Sequence, residues 1–232
     1  MLFALYTHDL DSTGSSVFKI DIRSAKSPSS AKVTKIADIT EVQLLNAMIA
    51  LDRSGNVLIS NSGAGVIWRV NTRSGDAKIV IDDPLMKPVT AAPAAIAVDG
   101  IRIRKGNLFF TNTFGMTFNT VPVRKDGTAL GAAKTIIKNG IGDDFTFAKT
   151  GNAFVAQNPV NTFQKITPGG TQAMVIAGNL NCTQSAGPTA AQFGRTKRDG
   201  KTLCVTTNGG LAAPISGTII EGGKVVAVHY IP

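Results

Sequence analysis

The side chains able to do chemistry are few in this 232-residue chain, and their types narrow what that chemistry can be. There are two histidines, His8 and His229, and two cysteines, Cys182 and Cys204. No Gly-x-Ser-x-Gly elbow occurs and no cysteine–histidine pair is indicated, so covalent nucleophilic catalysis is not expected. Zinc-type cysteine–histidine spacing is absent as well. His8 follows a short apolar strand at the point where Asn61 and Asn112 follow theirs. An imidazole there can act as general base or hydrogen-bond donor, whereas one on an open surface does neither. The loops that leave these strands hold Asn61, Asn112, Thr113, Phe114, Met116, Phe118, Gln157, Asn158, Thr207 and Asn208. One of them, Thr113-Phe114-Gly115-Met116-Thr117-Phe118, carries three large apolar groups. Such a loop suits an apolar substrate better than a sugar acid, or it seals the interface between neighbouring sheets. Gly169-Gly170 and Gly222-Gly223 lack a phosphate-loop context and read as turns.

The elements that position these residues recur along the chain. A short apolar approach, a Gly-centred turn, an apolar strand and a polar ending repeat four times. The copies are residues 50–61, 103–112, 148–157 and 197–207, with turn glycines Gly55, Gly106, Gly151 and Gly200. These glycines lie 51, 45 and 49 residues apart, close to the ~40–50 residues of a four-stranded propeller blade. Third strands follow at 66–70, 121–123 and 163–166, then a turn such as Ser74-Gly75-Asp76 and an outer strand such as 77–81. The turn chemistry is that of hairpins, and no segment shows strong helical periodicity. Residues 3–6, 17–22 and 32–36 read as the second, third and fourth strands of one more blade, whose innermost strand is missing. The last blade ends at 224–229 without an outer strand. The expectation is an all-β fold, a single β-propeller domain over 1–232 with about four and three-quarter blades. Their expected limits are 1–40 (partial), 41–90, 91–140, 141–182 and 183–232.

Composition agrees with this reading. Hydrophobic residues make up 43% and charged residues 17%, enough apolar material for a large core. The 24 glycines accord with many tight turns. Apolar runs stay well short of the ~20 residues of a membrane span. The formal charge of +9 is spread along the chain, with one local cluster at Arg195, Lys197 and Arg198. No nucleic-acid-binding signature accompanies it, so a basic solvated surface is expected and nucleic acid is not an expected partner. Cys182 and Cys204 pair in an oxidising compartment or stay as two thiols. Residues 1–8 do not form a signal peptide, since a basic start is absent and the apolar stretch is short. Localisation is left open.

The contents of the blades carry a resemblance. Leu45-Asn46-Ala47-Met48, Asp82-Asp83-Pro84-Leu85-Met86, Asp99-Gly100-Ile101-Arg102-Ile103 leading to Phe110-Thr111-Asn112-Thr113-Phe114, and Gly187-Pro188-Thr189-Ala190-Ala191 with Phe193-Gly194-Arg195-Thr196 are its main stretches. Asp143-Asp144-Phe145 with residues 151–156 adds to them. Over most of its length the chain resembles the fungal branch of the senescence marker protein/gluconolactonase-like six-bladed propellers. Family members are usually longer, and the resemblance implies that more than a full blade precedes Met1. In hydrolase members, a carboxylate and several Asn/Asp side chains hold a divalent cation on the propeller axis. Carried over, this implies Asn46, Asp99 and Asp144 as catalytic residues and as ligands of Ca²⁺ or Mg²⁺. His8 joins them as a catalytic candidate from its strand-end position, and Thr189 joins the substrate-binding set. The family's first ligand, a glutamate in an early blade, has no counterpart here, and Asp99 stands where Asn-Gly-Ile is more usual. The same three residues would otherwise cap strand ends and bond turn amides.

Three functions follow from the resemblance, in this order. The first is an enzyme of fungal secondary metabolism, a metal-independent hetero-Diels–Alderase-type cyclase joining a polyketide-derived quinone methide to a terpene. It needs no nucleophile and no cofactor, because a dry pocket that orients both partners supplies the acceleration. The second is a divalent-metal-dependent lactone hydrolase using Ca²⁺ or Mg²⁺. The third is a non-catalytic binding propeller. The expected partner is an apolar small molecule, with self-association as one way to complete a partial ring.

Overall fold

The computed structural model describes residues 2–7, 14–40, 42, 44–89 and 96–229. His8 and its expected role lie outside the described residues. The fold is an all-β propeller, built from antiparallel meanders whose strands run in sequence order across each sheet. The first sheet has three strands, β1 (Leu2–Thr7), β2 (Ser15–Asp21) and β3 (Lys32–Ile39). The second has four, β4 (Leu45–Ala50), β5 (Asn56–Asn61), β6 (Val66–Asn71) and β7 (Ala77–Asp82). The third holds β8 (Val98–Arg104), β9 (Asn107–Asn112), β10 (Thr117–Pro122) and β11 (Lys134–Lys138). The fourth holds β12 (Phe145–Phe147), β13 (Ala153–Gln157), β14 (Thr162–Ile166) and β15 (Ala173–Gly178). The fifth has three, β16 (Pro188–Phe193), β17 (Thr202–Thr207) and β18 (Lys224–His229). Eighteen strands among the described residues form three four-stranded and two three-stranded sheets, so the fold class matches the sequence expectation and the blade count differs from it. The fifth sheet ends at β18 without an outer strand among the described residues, as the sequence reading of that blade expected.

Burial explains why these sequences take these places. The second strand of each complete blade is covered on both faces, and β5 (NVLISN) and β13 (AFVAQ) are buried almost throughout. A continuous apolar run is what a doubly covered strand needs. Outer strands are wetter, as in β7 (AKIVID), where only Ile81 is buried. The turns between first and second strands need left-handed backbone. Gly55, Gly106 and Gly151 have φ of 100°, 74° and 98°, and Lys105 joins Gly106 at 48° to make a two-residue hairpin turn. The fourth repeat closes differently. Asp199 Oδ1 accepts the Thr196 N–H at 2.7 Å, and the Asp199 carbonyl accepts the Thr202 N–H at 2.7 Å.

The chain divides into two compact units, Met1–Phe110 with Thr120–Lys134, and Thr111–Asn119 with Lys134's successor Thr135 through Pro232. Two apolar clusters fill the first. One gathers Leu58, Ile67, Met86, Ile101, Leu108 and Phe110, and the other Val17, Ile39, Val57, Ile59 and Val70. The second unit centres on Phe154, Phe163, Ala191, Leu203 and Val205, with Phe193 edge-on to Phe154 at 5.2 Å. No helix among the described residues is long and apolar enough to cross a membrane.

Candidate functional site

In an antiparallel meander, the entrance to the first strand and the loop between second and third strands lie at the same edge of the blade. In the second unit this edge is formed by residues 113–116, 139–144, 158–161, 179–187 and 208–223. Hydroxyl groups hold it together. Thr111 Oγ1 donates to the Asp143 carbonyl at 2.6 Å, and Thr113 Oγ1 donates to the Gly142 carbonyl at 2.7 Å. Gly142 is tightly enclosed: a Cβ there would lie 2.8 Å from Val155 and 2.9 Å from Thr111. The Gly140 N–H reaches the Met116 carbonyl at 3.0 Å, which ties the 113–116 loop to the strand entrance.

Asp143 opens a chain of polar groups. Asn158 Nδ2 donates to Asp143 Oδ2 at 3.1 Å, and Asn208 Nδ2 donates to Asn158 Oδ1 at 3.3 Å. Asn208 Oδ1 accepts the Gly210 N–H at 2.9 Å and the Leu211 N–H at 3.2 Å, which fixes the amide. Gly187 leaves the room, since a Cβ there would sit 1.8 Å from Asn208 Oδ1. Both amides are half-buried. An amide NH₂ carries two donors, and one bond from each is given above. Burial pushes the Asp143 carboxyl up to about 6, the neighbouring Asp144 charge adds to this, and the Asn158 amide opposes it. Asp143 entered the sequence argument only as part of a motif. The signal that singles it out is the pair of hydroxyls in Thr111-Asn112-Thr113.

Asp144 is half-buried, and its Oδ1 accepts its neighbour Phe145's N–H at 2.7 Å. Its own N–H donates to the Thr189 carbonyl at 3.1 Å, and the Thr189 hydroxyl bonds that of Thr206 at 2.9 Å. Gln157 is buried between the Ile141 carbonyl at 2.9 Å and the Thr162 hydroxyl at 2.8 Å, so it organises the edge from within. Asn112 is buried, and its Oδ1 accepts the Gly115 N–H at 2.9 Å, closing the loop. Of the three large groups expected on that loop, Phe114 and Met116 are 49% and 43% exposed. Phe118 differs from the loop expectation. It lies on β10, buried and edge-on to Phe145 at 4.9 Å, because its side chain alternates toward the sheet interior.

The first unit contains the equivalent edge. Ser60 Oγ donates to the Asp99 carbonyl at 2.7 Å, and Ser62 Oγ donates to the Val98 carbonyl at 2.7 Å. Ser60 Oγ also accepts the Ala47 N–H at 2.9 Å. Asn61 is buried and closes its loop through the Ala64 N–H at 3.1 Å. Asp99 is 1% exposed at the entrance of β8, whereas Asn46 is exposed on β4. Asn46, Asp99 and Asp144 offer hard oxygen donors of the kind Ca²⁺ and Mg²⁺ take. Among the described residues, no three His, Cys, Asp or Glu side chains gather into a metal-holding group. Both cysteines are free thiols, Cys204 exposed on β17 and Cys182 half-buried, with the Ser185 hydrogen bond lowering its pKa.

No protein-family model matches the chain. A Phoma sp. protein carried under the name "Putative hetero-Diels-Alderase" is 29% identical over 149 residues, which is 62% of this chain and 42% of that protein. The match therefore takes in less than half of the relative's length. Among solved structures, a chain of a nidogen/laminin complex superposes with a TM-score of 0.59 at 14% identity, covering 94% of this chain and 82% of that one. The calcium-binding protein regucalcin of Agrobacterium tumefaciens strain C58 superposes with a TM-score of 0.52 at 14% identity, covering 88% of this chain and 66% of that one. At these identities the structural likeness carries the fold.

Proposed function

We propose that the chain is a small-molecule enzyme of the hetero-Diels–Alderase type, joining a quinone methide to an electron-rich terpene alkene. The observation that carries this reading is the Asn158–Asn208 amide pair, half-buried beside the exposed apolar side chains of the same edge. The reaction forms one C–O and one C–C bond from the O=C–C=C unit and the alkene, and no atom is lost. It requires two apolar partners held in register and hydrogen-bond donors at the heterodiene oxygen. Phe114, Met116 and Leu211 provide apolar surface, with Leu211 69% exposed. The Asn158 and Asn208 amides provide the donors, and Asp143 orients the first amide. The Phoma relative's name supports the same class of reaction. The test is to mix the protein with a photochemically released ortho-quinone methide and a cyclic sesquiterpene alkene. Adduct formation at least about tenfold above the buffer rate is expected, and a rate equal to that with serum albumin contradicts the reading.

A lactone hydrolase is the second reading, favoured by the carboxylate of Asp99 at the entrance of β8. The oxygen donors it draws on are Asn46, Asp99 and Asp144, and a bound divalent cation would polarise the lactone carbonyl. Lactone turnover that a chelator abolishes and Ca²⁺ or Mg²⁺ restores would favour this reading over the first.

A further inference from the structure

In a meander, the turns from first to second strand and from third to fourth strand lie at one edge of the sheet. In the second and third sheets, both within the first unit, these turns are residues 51–56, 71–77, 104–107 and 122–133. They hold six basic residues, three acidic ones and no aromatic one. Close contacts join them into one surface. The Gly55 carbonyl accepts the Thr72 hydroxyl at 2.7 Å, and the Gly106 carbonyl accepts the Val123 N–H at 2.9 Å. Between the sheets, Arg69 of β6 donates to the Asp126 carbonyl at 2.7 Å, and a Cβ on Gly127 would lie 3.2 Å from Leu51. The acidic groups are engaged inside their own turns. Asp52 Oδ1 accepts the Ser54 N–H at 2.8 Å, Asp76 Oδ2 the Ser74 hydroxyl at 2.6 Å, and Asp126 Oδ1 the Thr128 hydroxyl at 2.7 Å. The charges of Arg69 and Arg124 also bear on Asp126. Arg53, Arg73, Lys105 and Lys125 have no such engagement. All four are exposed, and their side chains make no hydrogen bond or ion pair among the described residues. Beyond Lys125 the same loop carries Leu130, 56% exposed and flanked by Ala129, Gly131, Ala132 and Ala133.

We infer that this edge is a docking surface for an anionic lipid bilayer, with Arg53, Arg73, Lys105 and Lys125 meeting the headgroups and Leu130 entering the boundary below them. A basic group near such a surface strengthens attraction to it about fivefold. An exposed aliphatic tip among basic groups gains apolar burial from a bilayer and none from a soluble polyanion. Single-stranded nucleic acid is held by aromatic stacking platforms, which these turns lack. The inference is independent of the proposed cyclase activity.

Co-sedimentation of the full chain with phosphatidylcholine vesicles, with and without about 30% phosphatidylserine, tests it. Binding to the anionic vesicles is expected to be at least about tenfold tighter, and to weaken at least about tenfold between about 0.1 M and 0.5 M salt. Arg53→Glu/Lys105→Glu/Lys125→Glu is expected to weaken it by about 10²-fold or more. Leu130→Ser, at an exposed position, is expected to weaken it about threefold or more. Equal binding to the two kinds of vesicle overturns the inference. Undiminished binding in the triple variant also overturns it, since the contact would then lie elsewhere, as does unchanged binding in Leu130→Ser. A duplex oligonucleotide provides a further arm: displacement of the chain from anionic vesicles at equal phosphate concentration would show that nucleic acid is the preferred partner, and would overturn it as well.

Discussion

Ser60 and Ser62 in the first unit and Thr111 and Thr113 in the second perform the same task at equivalent points of the repeat. Each pair of hydroxyls ends a second strand and holds the backbone carbonyls at the entrance of the next blade's first strand. By this correspondence Asp143 occupies the place of Asp99. The surroundings then diverge. Asp99 is sealed at 1% exposure, and Ser60 bonds both its carbonyl and the Ala47 N–H. Asp143 is half-buried and reaches outward through Asn158 to Asn208. One scaffold element thus serves two purposes. In the first unit it closes the blade edge, and in the second it supports an edge that carries the half-buried Asn158–Asn208 amide pair.

The largest stability effect is expected at the closed edge. Ser60→Ala leaves two buried backbone groups without their partner, the Asp99 carbonyl and the Ala47 N–H, at about 1–3 kcal/mol each. Urea denaturation should show a loss of about 2–5 kcal/mol. A loss below about 1 kcal/mol would mean that water or a relaxed backbone replaces the hydroxyl.

Next in size is the open edge's carboxyl. Asp143 titrates near 6 instead of 3.8, so the folded state favours its protonated form. The stability this contributes is complete below about pH 3.8 and is lost as pH rises through about 6. At 1.36 kcal/mol per pKa unit, the ionised group opposes folding by about 3 kcal/mol at pH 7.5. Asp143→Asn should therefore stabilise the protein by about 2–3 kcal/mol at pH 7.5 and by little at pH 4. Equal gains at both pH values would break the contrast between the two edges.

Thr111→Val removes the matching hydroxyl of the second unit while keeping its shape, and leaves the Asp143 carbonyl without its donor. The expected loss is at least about 1–3 kcal/mol for that one group. If Thr111→Val destabilised more than Ser60→Ala, the open edge would be the more structural of the two. Smallest of all, Phe114→Ser should change stability by less than about 0.5 kcal/mol, because the side chain is half exposed, while lowering cycloadduct formation.

The strands were legible because their local chemistry and their environment agree. Gly55, Gly106 and Gly151 stand where positive φ is required, and the apolar runs after them are doubly covered strands. The residues at the edge were harder to sort. A polar residue after an apolar strand can close a loop, as Asn61 and Asn112 do, lie buried inside, as Gln157 does, or donate to a carboxylate, as Asn158 does. Only the spatial neighbours distinguish these cases. Phe118 illustrates the same limit, since the third strand begins at Thr117, four residues before the expected start at Val121, and turns an expected loop side chain into core. The pairing of Asp99 with Asp143 was written in Ser-Asn-Ser and Thr-Asn-Thr, but the aspartates follow at unequal spacing, so it emerges only from the hydrogen bonds.

The central claim is that the Asn158–Asn208 pair orients and activates a cycloaddition. The most direct test is the rate and enantiomeric excess of the quinone methide–terpene adduct, compared between the unmodified chain and the Asn158→Ala/Asn208→Ala variant. The account predicts a fast, strongly enantioselective reaction that falls by about 10²-fold or more in a variant that remains folded by circular dichroism, the scale of losing oriented donors. Racemic adduct at the buffer rate with the unmodified chain, or unchanged rate and selectivity in the variant, would contradict it.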